Sequence, residues 1–385
     1  MRERWDIFCR VVDNFGDAGV CWRLARQLAH EHPLRVRLWI DDLASLARLE
    51  PAVVIAQRQC VAGVDVLRWD AHADADALHV VPAQVVIEGF GCGLPEPYVA
   101  MMARRKRPPT WIVLEYLSAE PWVREHHGLP SPHPRRPLQR YFFFPGFVEG
   151  TGGLLREKDL FSRRDAFDER RSDALWRSVG HAPVPAEATA VSIFAYESAP
   201  LADLLRTWEC GPERIVAAIP EGKALRAALT HFGVDTIPAA RVLRRGALEV
   251  RIVPFVPQVR YDELLWSCDV NFVRGEDSFV RAQWAARPLV WHIYPQEARA
   301  HWQKLDSFLD LYSEALPERS ATAVRQLMQF WNGTDERSAR AGDIWAAFAA
   351  ERAALRSHAR AWADRIAASG DLADNLARFR LDKLK

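Results

Sequence analysis

The apolar positions of this chain fall into two successive series of short strands and helices. In the first series, 5–12 (WDIFCRVV), 36–40, 79–90 and 111–117 are nearly continuous apolar runs, and 65–69 is a mixed segment. Runs of this length predict buried strands. Residues 18–31 change period: Val20, Cys21, Leu24 and Leu28 form one stripe with Arg23 and Arg26 off it, as in an amphipathic helix. A loop at 128–137 is too proline-rich for either element, and one more strand is expected at 140–147, followed by a connection at 151–157. Residues 158–185 turn charged and then proline- and alanine-rich, the composition of a linker.

Beyond that segment the pattern restarts. Strands at 188–196, 214–220, 248–257, 269–274 and 288–295 alternate with helices at 200–208, 222–232, around 261–268 and at 278–286. From about 298 the chain reads as almost entirely helical, with a long alanine- and arginine-rich stretch at 342–369 and a final short helix. Alternation of this kind, twice over, predicts an α/β protein with two doubly wound parallel sheets. Ligands of such sheets bind at the carboxyl ends of the strands, so strand-to-helix loops are where chemistry is to be sought.

Length and composition narrow this picture. The 385 residues are too many for one ordinary core, and the 51 lysines and arginines nearly cancel the 50 aspartates and glutamates. No global field therefore draws the protein to nucleic acid or anionic lipid. The N-terminus carries charge immediately (Arg2, Glu3, Arg4), and its first apolar run is too short and too interrupted for a signal peptide or anchor, so a cytoplasmic protein without a membrane partner is expected. Six cysteines (Cys9, Cys21, Cys60, Cys92, Cys210, Cys268) lack any C-x-x-C pair and read as free thiols.

Three loops carry candidate chemistry. In DNFGDAG (13–19) two carboxylates, Asp13 and Asp17, project where a strand hands over to a helix. A general base belongs there, although Asp17 as a helix cap and Asp13 in an Asx-turn account for the same residues. In VNFVRGEDSFVRAQWA (270–285) a strand ends, Gly275 permits a tight turn, and Asp277 and Ser278 open a helix whose N–H groups form an anion site beside Arg274. Glu276 and Asp277 would repel a diphosphate, so one of them serves something else; a well-capped helix is the plainer reading. In RIVPFVPQVRYDE (251–263), Phe255 and Gln258 suit a nucleobase, one as a stacking plane and one as an edge-reading amide. Phe194, Tyr196 and Glu197 follow another strand, and Tyr294 and Gln296 follow WHIYP. The G-x-G-x-x-G fingerprint is absent, which disfavours a nicotinamide dehydrogenase. DAD at 74–76 does not follow an apolar strand and is a weak metal motif; RRKRPP (104–109) and PRRP (134–137) read as solvated or protein-docking faces.

Taken together, DNFGDAGVCWRLARQL, LEYLSAE (114–120), VPFVPQ (253–258) and RGEDSFVRAQWAARPLVWHIYPQ (274–296) resemble the family of bacterial protein-arginine rhamnosyltransferases that modify translation elongation factor P, over essentially the whole chain. The resemblance implies a GT-B fold of two facing Rossmann-like domains. The first would be an acceptor-binding domain at 1–180, rejoined by a C-terminal helix at about 365–385, and the second a nucleotide-sugar domain at 181–364. It implies inverting transfer of L-rhamnose from dTDP-β-L-rhamnose to an arginine of the factor, with no metal and no cofactor. Carried over by position, it makes Asp13, Asp17 and Glu276 catalytic. Phe255 and Gln258 would hold thymine, and Tyr196, Asp277 and Ser278 would surround the diphosphate, with Arg274 in the same motif. Asn14, Phe15, Gly16, Gly275 and Tyr294 complete the substrate-binding set.

Residue chemistry agrees with that implication. A guanidinium has a pKa above about 12 and no free lone pair, so it needs carboxylates that neutralise it, orient it and accept its proton. Asp17 is assigned as base, Asp13 as its orienting partner, and Glu276 as a second acid from the other domain. Glu115, Tyr116 and Glu120 are a weaker expectation for the acceptor surface. A sugar-nucleotide epimerase or hydrolase of the same fold, and a non-catalytic module that docks the factor, are the rival readings.

Overall fold

The structure, a computed structural model, describes residues 2–13, 15–69, 80–295, 300–333 and 340–383. The chain divides into two compact units, the first made of Met1–Lys158 with Arg365–Lys385 and the second of Asp159–Asp364.

The first unit is built on an eight-stranded sheet of β1 (Glu3–Cys9), β2 (Leu34–Ile40), β3 (Arg58–Val61), β4 (Val64–Arg68), β5 (Val85–Gly89), β6 (Thr110–Leu114), β7 (Pro130–Pro132) and β8 (Gln139–Phe143). Their spatial order is β3-β4-β2-β1-β5-β6-β8-β7. The second unit carries β9 (Thr189–Ile193), β10 (Ile215–Pro220), β11 (Val242–Arg245), β12 (Leu248–Val253), β13 (Val270–Arg274) and β14 (Leu289–His292), in the order β11-β12-β10-β9-β13-β14. Each sheet grows outward in one direction from its first strand and then restarts on the other side. That places a topological switch between β1 and β5 in one unit and between β9 and β13 in the other, the position at which open α/β sheets bind ligands.

Both sheets are parallel except at their margins. β3 with β4, β7 with β8, and β11 with β12 are antiparallel pairs that the hydrophobic pattern does not announce. Such edge strands are short and half-exposed, so they lack an apolar run. The β3–β4 turn is marked instead by Ala62 and Gly63, both at positive φ, the requirement of a tight hairpin. Within the expected loop 128–137, Pro130–Pro132 forms β7; proline is tolerated there because an edge strand leaves one row of N–H groups unpaired. Several strands are shorter than their apolar runs: β5 occupies only Val85–Gly89 of 79–90, and β12 stops at Val253, ahead of Pro254. The helical stretch at 342–369 is two helices, Ala341–Ala350 and Arg352–Ala367.

The boundary between units falls at 158/159, not 180/181, and the expected linker is largely helical, with helices Leu160–Asp165 and Glu169–Ser178. Most of their charged residues face solvent, Arg164 excepted, while Leu175, Trp176 and Val179 are buried with Ala190, Ala218, Val253 and Leu264 of the second unit. Arg164 also donates to the Trp284 carbonyl (3.0 Å). A polar majority therefore disguised a packed face. A comparable correction applies to Arg23: it lies off the apolar stripe but is buried, and it pairs with Glu157 at 3.0 Å. Helix Phe15–Glu31 is covered on more than one side, because the last helix, Leu372–Asp382, returns to it and Gln27 donates to Asp371 at 3.0 Å.

Candidate functional site

Each switch point carries one cluster. In the first unit, β1 ends at Cys9 and helix Phe15–Glu31 begins two residues after Asp13. The Gly16 N–H donates to the Asp13 carbonyl at 2.6 Å, which tightens the turn. Asp17, only 2% exposed, reaches back: its Oδ2 accepts the N–H groups of Val12 (2.8 Å) and Asp13 (2.9 Å). Its Oδ1 faces the Tyr116 hydroxyl, which donates at 3.4 Å from the loop after β6. One carboxylate oxygen thus braces the loop and the other is presented toward Tyr116. Burial raises the Asp17 pKa above the usual carboxylate range, against the lowering effect of its two backbone donors, and the nearby charge of Asp13 adds to the rise. The Asp13 carboxylate lies directly over Gly16, where an added Cβ would stand 2.8 Å from its Oδ2.

Tyr116 stacks on Phe90, with ring centroids 4.4 Å apart, and Phe15 packs under the Arg48 guanidinium at 5.3 Å. Glu120 accepts the Ser118 hydroxyl at 2.9 Å within its own loop, and Glu115 continues the β6 direction through its N–H to the Phe143 carbonyl at 3.0 Å. Asn14 lies outside the described residues, as do Gln296 and the DAD segment.

In the second unit, β13 ends at Arg274 and the chain turns through Gly275 at φ +60°. The turn is clamped by the Trp291 indole N–H, which donates to the Gly275 carbonyl at 2.8 Å, and Trp291 stacks on Phe279 at 3.9 Å. Glu276 takes the N-cap position of helix Asp277–Ala285, but its side chain makes no capping hydrogen bond. The Ser278 hydroxyl turns back onto Arg274, donating to its carbonyl at 2.5 Å and accepting its N–H at 3.1 Å. Asp277 Oδ2 accepts the Gln258 side-chain amide at 3.0 Å. Asp277 and Ser278 therefore hold their neighbours in place, which the sequence pattern does not reveal.

The Arg274 guanidinium is 4.5 Å from the Phe194 ring and 4.5 Å from the Tyr196 ring. Tyr294 packs edge-on against Tyr196 at 5.6 Å and is 41% exposed. Phe255 is half-buried in the loop after β12, and Gln258 opens helix Gln258–Trp266. That helix is tied to Asp277–Ala285 by Arg281, whose guanidinium donates from Nε to Asp262 Oδ1 at 2.7 Å with both residues buried. One residue went unnoticed in the sequence: His292, at the end of β14, is buried against Tyr196.

Among the described residues no three His, Cys, Asp or Glu are grouped to hold a metal ion, and no helix is long and apolar enough to cross a membrane.

Two Rossmann-like units of this topology are the architecture of the GT-B glycosyltransferases; here the first carries a buried carboxylate at its switch point, and the second an arginine at the end of β13 and a buried amide, Gln258. A UGT transferase from Siraitia grosvenorii solved with UDP shares that fold at 9% identity, TM-score 0.51, over 99% of this chain and 100% of its own. The family described as elongation-factor P (EF-P) rhamnosyltransferase EarP matches residues 5–380, and the chain belongs to that family. A protein-arginine rhamnosyltransferase of Pseudomonas putida is 46% identical over the full length of both chains. A solved structure concerned with EarP-mediated arginine glycosylation of translation elongation factor EF-P is 35% identical, with TM-score 0.70 and 99% of each chain covered.

Proposed function

We propose that this protein transfers L-rhamnose from dTDP-β-L-rhamnose to one arginine side chain of translation elongation factor P, inverting the anomeric carbon and using no metal or other cofactor. The observation that carries the reading is Asp17, a carboxylate 2% exposed at a strand exit, oriented by two backbone N–H groups and Tyr116, with its pKa raised by burial. Burial makes it a stronger base than an ordinary carboxylate, which suits an acceptor that must surrender a proton.

In this reading Asp13 and Asp17 neutralise and orient the acceptor guanidinium, and Glu276 is the second acid. As the guanidine nitrogen bonds to C1 of rhamnose, the C1–oxygen bond to the diphosphate breaks, the nitrogen's proton passes to Asp17, and dTDP leaves with the electron pair. A single displacement of this kind inverts the anomeric centre. Arg274 and the first-turn N–H groups of helix Asp277–Ala285 stabilise the departing negative charge, the task that a metal performs in other enzymes. Phe255 and Gln258 hold the thymine; Tyr196 and Tyr294 flank the sugar-diphosphate. Family membership, the relatives' names and the absence of any lysine- or arginine-dominated composition support a protein acceptor and no nucleic acid. We place the reaction in the cytoplasm, where translation proceeds.

The test is the intact mass of elongation factor P from the same organism after incubation with this protein and dTDP-rhamnose in chelator, with Asp17→Asn alongside. The expected result is a gain of one deoxyhexose that the variant does not produce. No gain with folded wild type, or consumption of the donor without transfer, overturns the reading and leaves a hydrolase or epimerase in its place.

A further inference from the structure

His292 sits two strands away from the loop it serves. It ends β14, while its two hydrogen-bonding partners, Tyr196 and Ser198, lie in the loop after β9, and β13 runs between the two strands. Its Nδ1 accepts the Tyr196 backbone N–H at 3.3 Å, and its Nε2 lies 3.4 Å from Ser198 Oγ. A neutral imidazole has one acceptor and one donor nitrogen, so acceptance at Nδ1 places the proton on Nε2, directed at Ser198. Burial, then the nearby charges of Arg274 and His301, push the His292 pKa down to about 3, which keeps the ring in that form.

The pairing matters because of what the Tyr196 ring does next. Beyond Phe194 the loop has left the sheet, so the ladder no longer positions Tyr196. The ring nevertheless lies on Arg274, 4.5 Å from its guanidinium carbon, and packs against the His292 ring at 5.2 Å and Tyr294 at 5.6 Å. An arginine side chain has several rotatable bonds and is held only if its walls are held. Phe194 is fixed by its own N–H bond to the Phe272 carbonyl at 2.9 Å, and His292 does the same for the other wall. Protonation, or loss of the acceptor at Nδ1, would deprive the half-buried Tyr196 N–H of that acceptor and release the wall.

We propose that His292 is a positioning residue for the nucleotide-sugar donor: through the Tyr196 N–H and the Ser198 hydroxyl it sets the Tyr196 ring against Arg274, and so sets the guanidinium that meets the diphosphate. This rests on the donor reading above.

His292→Phe removes both hydrogen bonds and keeps a ring, whereas His292→Asn retains an acceptor near the place of Nδ1. The measurements are dTDP affinity by calorimetry, KM for donor and acceptor with kcat, and thermal unfolding. For His292→Phe, dTDP Kd and donor KM rise about tenfold and kcat falls, because the same guanidinium stabilises the leaving charge, while acceptor KM stays within about twofold. His292→Asn recovers most of the lost affinity. In an Arg274→Ala background, His292→Phe adds almost nothing, because the effect runs through the missing guanidinium. A folded His292→Phe with unchanged dTDP affinity, or one that weakens dTDP equally with and without Arg274, overturns the inference and leaves the donor reading standing. A wild type that does not bind dTDP overturns both. If His292→Phe does not fold, His292→Asn decides alone: unchanged acceptor KM with dTDP affinity and kcat each lowered less than about threefold are expected, and an acceptor KM that rises as much as the dTDP Kd overturns the inference.

Discussion

Asp17 and Gly16 show how much can hang on single atoms. Because burial holds the Asp17 pKa above the usual range and the base must be ionised to accept a proton, kcat/KM should rise with pH through a value above that of an ordinary aspartate. The Tyr116 hydroxyl favours the charged form, so Tyr116→Phe should move that rise to still higher pH, by less than about one unit; a pH profile of kcat/KM checks it. Gly16→Ala separates activity from stability. The new Cβ would stand 2.8 Å from Asp13 Oδ2, the end of a short side chain that can swing away, so the helix tolerates the change. Thermal unfolding should shift by less than about 2 °C, while transfer falls about tenfold or more as Asp13 leaves its place. The residue types at these positions were legible in the chain. Their pairings were not: the Ser278 hydroxyl bonds to the Arg274 backbone and Asp277 to the Gln258 amide, and only packing reveals such contacts.

Among the elements, the two helices that open the second unit's site are held together from their far sides. Arg281 and Asp262 are both buried, so removing one strands the other charge. Asp262→Ala should destabilise the second unit by about 3–5 kcal/mol, read from denaturant unfolding, and loosen Gln258 and Asp277 with it. The helix Leu372–Asp382 carries a pH dependence at its own cap. Asp371 accepts the N–H groups of Ala373 (2.9 Å) and Asp374 (3.0 Å), and burial raises its pKa to about 6. A carboxyl whose folded pKa lies above its unfolded value binds more protons when folded. Its contribution therefore declines as pH rises from about 4 to 6. Asp371→Asn keeps a capping oxygen and should remove that decline, which a comparison of unfolding midpoints across this pH range would show. Helices and central strands were legible because their apolar periods are long. Edge strands such as β3 and β7 were not, because four residues or fewer with one exposed face carry almost no period.

For the whole molecule, the first unit is closed by residues from the opposite end of the chain. Leu372 N–H donates to the Leu154 carbonyl at 3.0 Å, Arg380 pairs with Glu3, and Asn375 donates to the Gly152 carbonyl at 3.0 Å. The backbones at Gly153 and Gly370 approach so closely that a Cβ on Gly153 would lie 2.7 Å from the Gly370 carbonyl, which requires glycine there. Leu376 is fully buried, and Leu376→Ala should destabilise the first unit by about 2–5 kcal/mol. The change should appear as faster hydrogen exchange throughout helix Phe15–Glu31, including the Asp17 turn.

By itself, the order of residues determined the alternation of strands and helices, the two-unit plan and the loops in which the acids, the arginine and the amide reside, because period and loop chemistry are local. The tertiary structure decided where the units divide, that Arg23 is buried, which carboxylate oxygen faces Tyr116, and that His292 braces Tyr196. Those outcomes depend on contacts between residues far apart in sequence, whose desolvation and pairing no local pattern encodes.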